Sequence, residues 1–269
     1  MLKKSFRFLF ILVIAAVFVA PFYWLVVTSF AGSGDLYAFP PKLLPGHFTL
    51  SNYAQVWSAV PMARFFVNTC IIVFWGTLLT LIISALAGYP LARFDFKGKK
   101  VIFFILFATL LLPEEAMMIV NFLTCSRLGL INTYAGVFIP SIGSVFGIFL
   151  LRQAYLAIPQ ELEDAARIDG CSPFFLWWKI MVPLVAPTLA TLAVFSFVAY
   201  WNSFLWPLII FKDTNLYPLS VGLTWLSGTF ATNFRLVAAG SVLAMVPTLI
   251  IFVALQRYFT KGLTAGAIK

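Results

Sequence analysis

Charge is scarce in this chain. Asp, Glu, Lys and Arg make up 10% of its 269 residues, while 62% are hydrophobic. A soluble domain of that size needs far more polar surface to cover its core. The composition therefore excludes an ordinary soluble enzyme or binding module and predicts an integral membrane protein with one helical domain, 1–269. Histidine occurs once, at His47, and one imidazole does not build a metal site. The three cysteines, Cys70, Cys125 and Cys171, are dispersed and imply no disulfide framework. No GxxxxGK[ST] exists anywhere, so Gly98-Lys99 is not part of a Walker phosphate loop. No His/Asp/Ser cluster or metal-ligand spacing suggests catalysis, and no cofactor is expected in this chain. The net charge of +9 does not indicate nucleic acid, because the basic residues flank apolar runs instead of forming a patch.

Six apolar runs are long enough to cross a bilayer, near 8–30, 65–89, 101–124, 133–151, 184–211 and 236–257. About 20 residues at roughly 1.5 Å each suffice. An even number of spans puts both termini on one side. Thirteen of the 18 Lys and Arg residues fall on that side; Lys42, Arg64, Arg127, Lys212 and Arg235 fall on the other. The positive-inside rule then predicts cytoplasmic termini in a bacterial-type inner membrane. Lys3, Lys4 and Arg7 precede an apolar run too long for a signal peptide, so an uncleaved first span is expected.

Polar residues inside these runs are the candidates for a solute path. Pro113-Glu114-Glu115 lies half-way along the third run, where the carboxylates either face a cavity or mark its outer end. Asn121 follows in the same run. The fifth carries Tyr200, Asn202 and Ser203, and Asn202 serves either the path or an interhelical hydrogen bond. Gly143 and Gly147, with Pro140, suit close helix packing in the fourth. In the outer loop 31–64, Pro40, Pro41, Pro45 and Gly46 mark turns. The stretch 50–57 then predicts a short surface helix with Tyr53, Val56 and Trp57 on one face.

Residues 159–183 carry four of the nine acidic side chains: Glu161, Glu163, Asp164 and Asp169. Pro159 suits a helix's first turn, and the acids there complement the helix dipole. Ala165 and Ala166 are small helix formers that allow a partner surface to come close. Gly170 suits the left-handed residue that ends a helix, and Ser172 with Pro173 starts another. That second helix, 174–181, is apolar and carries Trp177, Trp178 and Lys179, which predicts an interfacial position leading into the fifth span.

Asp164-Ala165-Ala166, three residues, Gly170, nine residues, then Ile180, Met181, Val182 and Pro183 resembles the coupling loop of binding-protein-dependent ABC importer permeases. Asp164 stands for that family's Glu and Val182 for its Leu. The segment 151–170, the run 201–207 and the ending Gln256-Arg257-Tyr258-Phe259 with 262–267 are similar to the smaller permeases of the maltose-type branch. Ser203 stands where many relatives carry an acid. The resemblance implies an all-α membrane fold of six transmembrane helices, of the type I importer kind, with a cytoplasmic coupling loop at 152–183. It implies import of oligosaccharides, polyols or glycerol phosphates. It implies a second homologous permease as a heterodimer partner, two ATP-binding cassette subunits that hold ATP and Mg, and an extracytoplasmic solute-binding protein. Glu161, Glu163, Asp164, Ala165, Ala166, Asp169, Gly170, Ile180 and Pro183 would then couple to the ATPase. A stand-alone channel or ion-coupled transporter built on Glu114 and Glu115 is the alternative.

Overall fold

The computed structural model describes residues 2–32, 43–229 and 233–264, without the side chains of 2–4, Glu114 and 255–264. The side chains of Lys3, Lys4, Arg257 and Lys261 and of the tail from Gln256, and the residues Pro40, Pro41, Lys42 and Lys269 altogether, lie outside that description. Helices carry the fold. In chain order they are α1 (Leu2–Ser29), α2 (Ser51–Ala59), α3 (Met62–Arg93), α4 (Lys99–Thr109), α5 (Glu114–Arg127), α6 (Tyr134–Phe138), α7 (Val145–Leu156) and α8 (Glu161–Ile168). Then come α9 (Pro173–Leu176), α10 (Val182–Leu184), α11 (Ala186–Asn202), α12 (Leu205–Ile210), α13 (Leu219–Gly222), α14 (Thr224–Thr229) and α15 (Phe234–Thr264). Among the described residues β-pairing is limited to one antiparallel bridge, Ala31 to Phe48. The expected all-α class is what the fold adopts.

The spans are less regular than the apolar runs suggest. Among the described residues three helical stretches are each long and apolar enough to cross a membrane: Ser5–Ser29, Met62–Arg93 and Phe234–Ala254. Two more are bent pairs, Tyr134–Ser141 with Val145–Leu156 at 49° and Pro173–Leu184 with Ala186–Asn202 at 75°. Pro140 lies in the tight turn Ile139–Ser141 just before the first break, and Ser144 restarts the helix by accepting a hydrogen bond from Gly147 N at 3.1 Å. The predicted continuous span 101–124 is divided instead. Helix α4 stops at Thr109, and Pro113, with extended backbone, caps a new helix that opens on Glu114 and Glu115. Proline lacks the N–H a continuing helix needs, and two acids after it favour a helix N-terminus. The fifth run ends its helix at Asn202, and Ser203 is extended before α12.

The chain forms two compact units. One comprises Met1–Phe66 and Leu219–Leu249. Its helix α1 leaves Phe6 to Trp24 exposed on an apolar rod. Its loop is pinned by Asn52, whose amide donates to Ser29 O at 2.9 Å and Ala31 O at 3.0 Å. In α2 the buried positions are Asn52 and Val56, whereas Trp57 is exposed, so the packed face is shifted from the one expected. Gly222 is in van der Waals reach of the Phe65 ring, a closeness that leaves no room for a side chain there.

The other unit comprises Val67–Pro218 and Ile250–Lys269. A buried cluster in it joins Ala85, Tyr89 and Ala92 of α3 to Leu151 and Tyr155 of α7, Ala166 of α8 and Leu192 of α11. Gly147 permits this approach, since a Cβ there would lie 2.4 Å from Ser84 Oγ and 3.0 Å from Leu192. Gly143 has open space and lies at the break in the pair instead. At the other end of the unit, the buried Asn68 holds the segment 212–218. Its amide donates to Asn215 O at 2.8 Å and Tyr217 O at 2.9 Å, and its Oδ1 accepts from Tyr134 at 2.7 Å. Asn68→Ala removes all three bonds and should cost about 2–3 kcal/mol. A thermal melt with limited proteolysis of 212–218 checks this; unchanged protection would show that other contacts hold the segment.

Candidate functional site

The loop after α7 folds into a short, capped helix. Gln160 occupies the N-cap, so Pro159 stands one residue before the cap and outside the first turn expected for it. Glu161, Glu163 and Asp164 fill the first turn. The C-terminal end is a Schellman motif. Cys171 N donates to Ala166 O at 3.0 Å and Gly170 N to Arg167 O at 3.1 Å, with Gly170 at φ +79°. Ser172 then accepts from Phe175 N at 3.3 Å and α9 begins at Pro173. A π-turn follows over Trp177–Met181, where Val182 N reaches back to Trp177 O. Pro183 cannot donate to the carbonyl four residues earlier, and the wider turn accommodates that loss.

The helix has two faces. Glu161, Leu162, Asp164, Ala165 and Ile168 are exposed, Ile168 to 86%. Glu163 and Ala166 turn inward. Glu163 Oε1 lies 2.6 Å from Arg93 Nε at the end of α3, with both side chains almost fully buried. Glu163 Oε2 accepts from Tyr89 OH at 3.3 Å and lies 3.7 Å from Arg167 Nη2. Arg93 Nη2 also donates to Ile158 O, just before α8. Nearby, Arg152 donates to Leu91 O at 3.1 Å and stacks its guanidinium 4.3 Å above the Phe103 ring.

A cavity of about 500 Å³ opens elsewhere in the same unit. Thr80 of α3, Asn121 of α5, Ser141, Ser144, and Ser196 with Tyr200 of α11 contribute polar groups to its wall. Ser203 and Trp206 close one side. Tyr200 OH lies 3.3 Å from Thr80 Oγ1, and Trp206 donates its indole N–H to Gly136 O at 3.1 Å, which fixes both rings. Among the described side chains no charged group lines this cavity.

Residues 80–265 match the model of the family described as binding-protein-dependent transport system inner membrane component. The chain belongs to this family. The permease is 37% identical to the arabinooligosaccharides transport system permease protein of Halalkalibacterium halodurans, over 95% of this chain and 93% of that one. It is 32% identical to the sn-glycerol-3-phosphate transport system permease protein of Escherichia coli, over 92% and 91% of the two chains. A solved bacterial ABC transporter that imports the acidic polysaccharide alginate contains a chain with TM-score 0.86 and 25% identity, covering 96% of each.

The permease's anticipated residues separate into distinct places. Glu161, Asp164, Ala165, Asp169, Gly170 and Pro183 are exposed along the loop, and Ile180 is half-buried. Glu163 and Ala166, expected to meet a partner, are instead packed against the body of the unit, because their side of this short helix faces α3. Asn121, Tyr200 and Ser203 converge on the cavity. Asn202 does not: it is exposed and its amide donates to Val198 O at 3.0 Å within its own helix. Glu115 is exposed in the first turn of α5 and stays off the cavity wall. The side chain of Glu114 lies outside the described residues. Sequence reasoning missed Arg93 and Tyr89 as partners of the loop. Their only sequence signal is a cation and a phenol at the end of an apolar run, 70 or more residues from Glu163.

Proposed function

We propose that this permease passes uncharged oligosaccharides or polyols, and that the cavity is its share of the solute path. The observation that carries this is the composition of the wall. Hydroxyls and an amide can exchange hydrogen bonds with sugar hydroxyls, and the Trp206 and Tyr200 rings offer apolar faces to a sugar ring. A phosphate ester or uronate would call for Arg or Lys there. Neither lines the cavity among the described residues, and Glu114 and Glu115 can add only negative charge. The likeness to an arabinooligosaccharide permease fits this reading better than the likeness to a glycerol phosphate permease.

In this reading both termini and the 159–183 loop face the cytoplasm, as the Lys and Arg distribution supports. The exposed face of α8 seats in a groove of an ATP-binding cassette subunit, which binds ATP and Mg and hydrolyses ATP. The permease itself is non-catalytic. A second, homologous permease supplies the other wall of the path, and a solute-binding protein delivers the sugar from outside. A stand-alone channel would have no use for the exposed, capped helix α8.

The test is uptake by the complete complex in proteoliposomes. Arabinotriose, maltotriose and sorbitol represent the neutral class; glycerol 3-phosphate and a galacturonate trimer represent the charged one. Uptake confined to neutral solutes is expected. Preferential uptake of either anion would overturn the assignment.

A further inference from the structure

We propose that Arg93 and Glu163 are positioning residues for the coupling step, forming a buried strut through which a displacement of α8 moves α3 directly. The proposal rests on the reading of 159–183 as the ATPase contact.

Helix α8 has a covalent route to α11, through α9, the π-turn and α10. Its covalent route to α3 is long, running back some seventy residues through α7, α6, α5 and α4. What joins them is one charged contact and its supports. Glu163 Oε1 and Arg93 Nε meet at 2.6 Å with side chains 3% and 9% exposed. Tyr89, one turn earlier in α3, donates its hydroxyl to the second carboxylate oxygen. The same Arg93 guanidinium donates to Ile158 O, so it grips the chain entering α8 as well as α8 itself. Ala166, one turn after Glu163, packs in the cluster with Tyr89 and Ala92. A buried ion pair at this distance is barely screened by salt, and each partner is anchored by a hydrogen bond of its own, Glu163 from Tyr89 and Arg93 to Ile158 O. It therefore transmits pull as well as push, which apolar packing alone does poorly.

Helix α3 can carry that motion onward. It runs without a break from Met62 to Arg93. Thr80, on the cavity wall, is thirteen residues from Arg93, about 20 Å along the helix. The geometry thus gives two routes from the loop to the cavity: the chain itself to Ser196, Tyr200 and Ser203, and the strut to Thr80. The α3 and α11 parts of the cavity wall, which meet at Thr80 and Tyr200, would then move in the same stroke.

The test reads the two routes separately. Single-cysteine reporters Thr80→Cys and Ser203→Cys are placed in a complete complex whose permease has Cys70, Cys125 and Cys171 replaced by alanine. Labelling by a membrane-impermeant methanethiosulfonate reagent is followed with and without ATP and vanadate. In the parent both reporters should change their labelling rate on trapping. The strut is removed as a pair, Arg93→Met with Glu163→Met, because either single change leaves a buried charge without its partner. The expected result is retained ATP hydrolysis, an unaltered response at Ser203→Cys, and a response at Thr80→Cys reduced about tenfold. Exchanging the charges, Arg93→Glu with Glu163→Arg, should restore part of it. Equal responses at both reporters in the neutral pair would overturn the proposal, as would equal loss at both, which marks a purely structural role. If the neutral pair does not assemble, Arg93→Lys carries the same comparison, since lysine keeps the charge but cannot grip Glu163 and Ile158 together. Parent reporters that do not respond at all would overturn the reading of the loop itself, a result distinct from failure of the strut.

Discussion

Gly170→Pro should abolish uptake while leaving the amount of permease in the membrane unchanged. Gly170 sits at φ +79°, and its N–H closes the end of α8 on Arg167 O. Proline holds φ near −65° and has no N–H, so it removes both the conformation and the bond. The end of α8 would then leave through a different angle, and the exposed Asp164, Ala165 and Ile168 would lose their placement relative to the interfacial turn. Nothing lies within 4 Å of where a Cβ would project, so crowding plays no part. That makes a graded series possible. Gly170→Asn, which tolerates the left-handed region, should stay near the parent. Gly170→Ala should be intermediate, with roughly 1 kcal/mol of backbone strain. Initial uptake rates normalised to membrane-inserted protein measure the series. Normal uptake by the proline variant would end the idea that this capped turn couples anything.

Gly136→Ala should lower the melting temperature of the detergent-solubilised permease by several degrees and weaken uptake. A Cβ at Gly136 would stand 2.2 Å from Leu130 O, and a backbone carbonyl cannot rotate away as a side chain can. That carbonyl also accepts from Thr133 Oγ1 at 2.8 Å, and Thr133 in turn caps α6 at Gly136 N. Forcing the turn open costs about 1–3 kcal/mol, by the usual measure of overpacking. The functional part follows from Trp206, whose indole is anchored on Gly136 O and whose ring borders the cavity. Gly143→Ala is the control, since a Cβ there meets nothing within 4 Å. Equal melting temperatures for the two variants would show that the turn relaxes freely.

Much of the loop was legible because its signals are local. Gly170, Ser172 and Pro173 act through backbone conformation and capping within a few residues, and these rules read directly from a sequence. The division of the third apolar run was also written locally, in Pro113 followed by two acids. Hydropathy outweighed it, because a window of apolar residues does not distinguish one helix from two. The destination of Glu163 was not legible. Asp164 beside it is exposed and Glu163 buried, although both belong to one acidic first turn. Only the approach of α3 separates them.

The sequence alone determined the membrane class, the helical fold, the capped polar helix and its motif spacing. Each follows from composition or from interactions spanning at most a few turns. The tertiary structure decided which polar residues share a cavity, excluding Asn202 and Glu115 while joining Thr80 to Ser203, and which acid is paired with Arg93. Those outcomes depend on how helices far apart in the chain approach one another. That approach is set by packing at positions such as Gly88, where the absence of a side chain lets backbones meet, and Gly147, where it admits the Ser84 and Leu192 side chains.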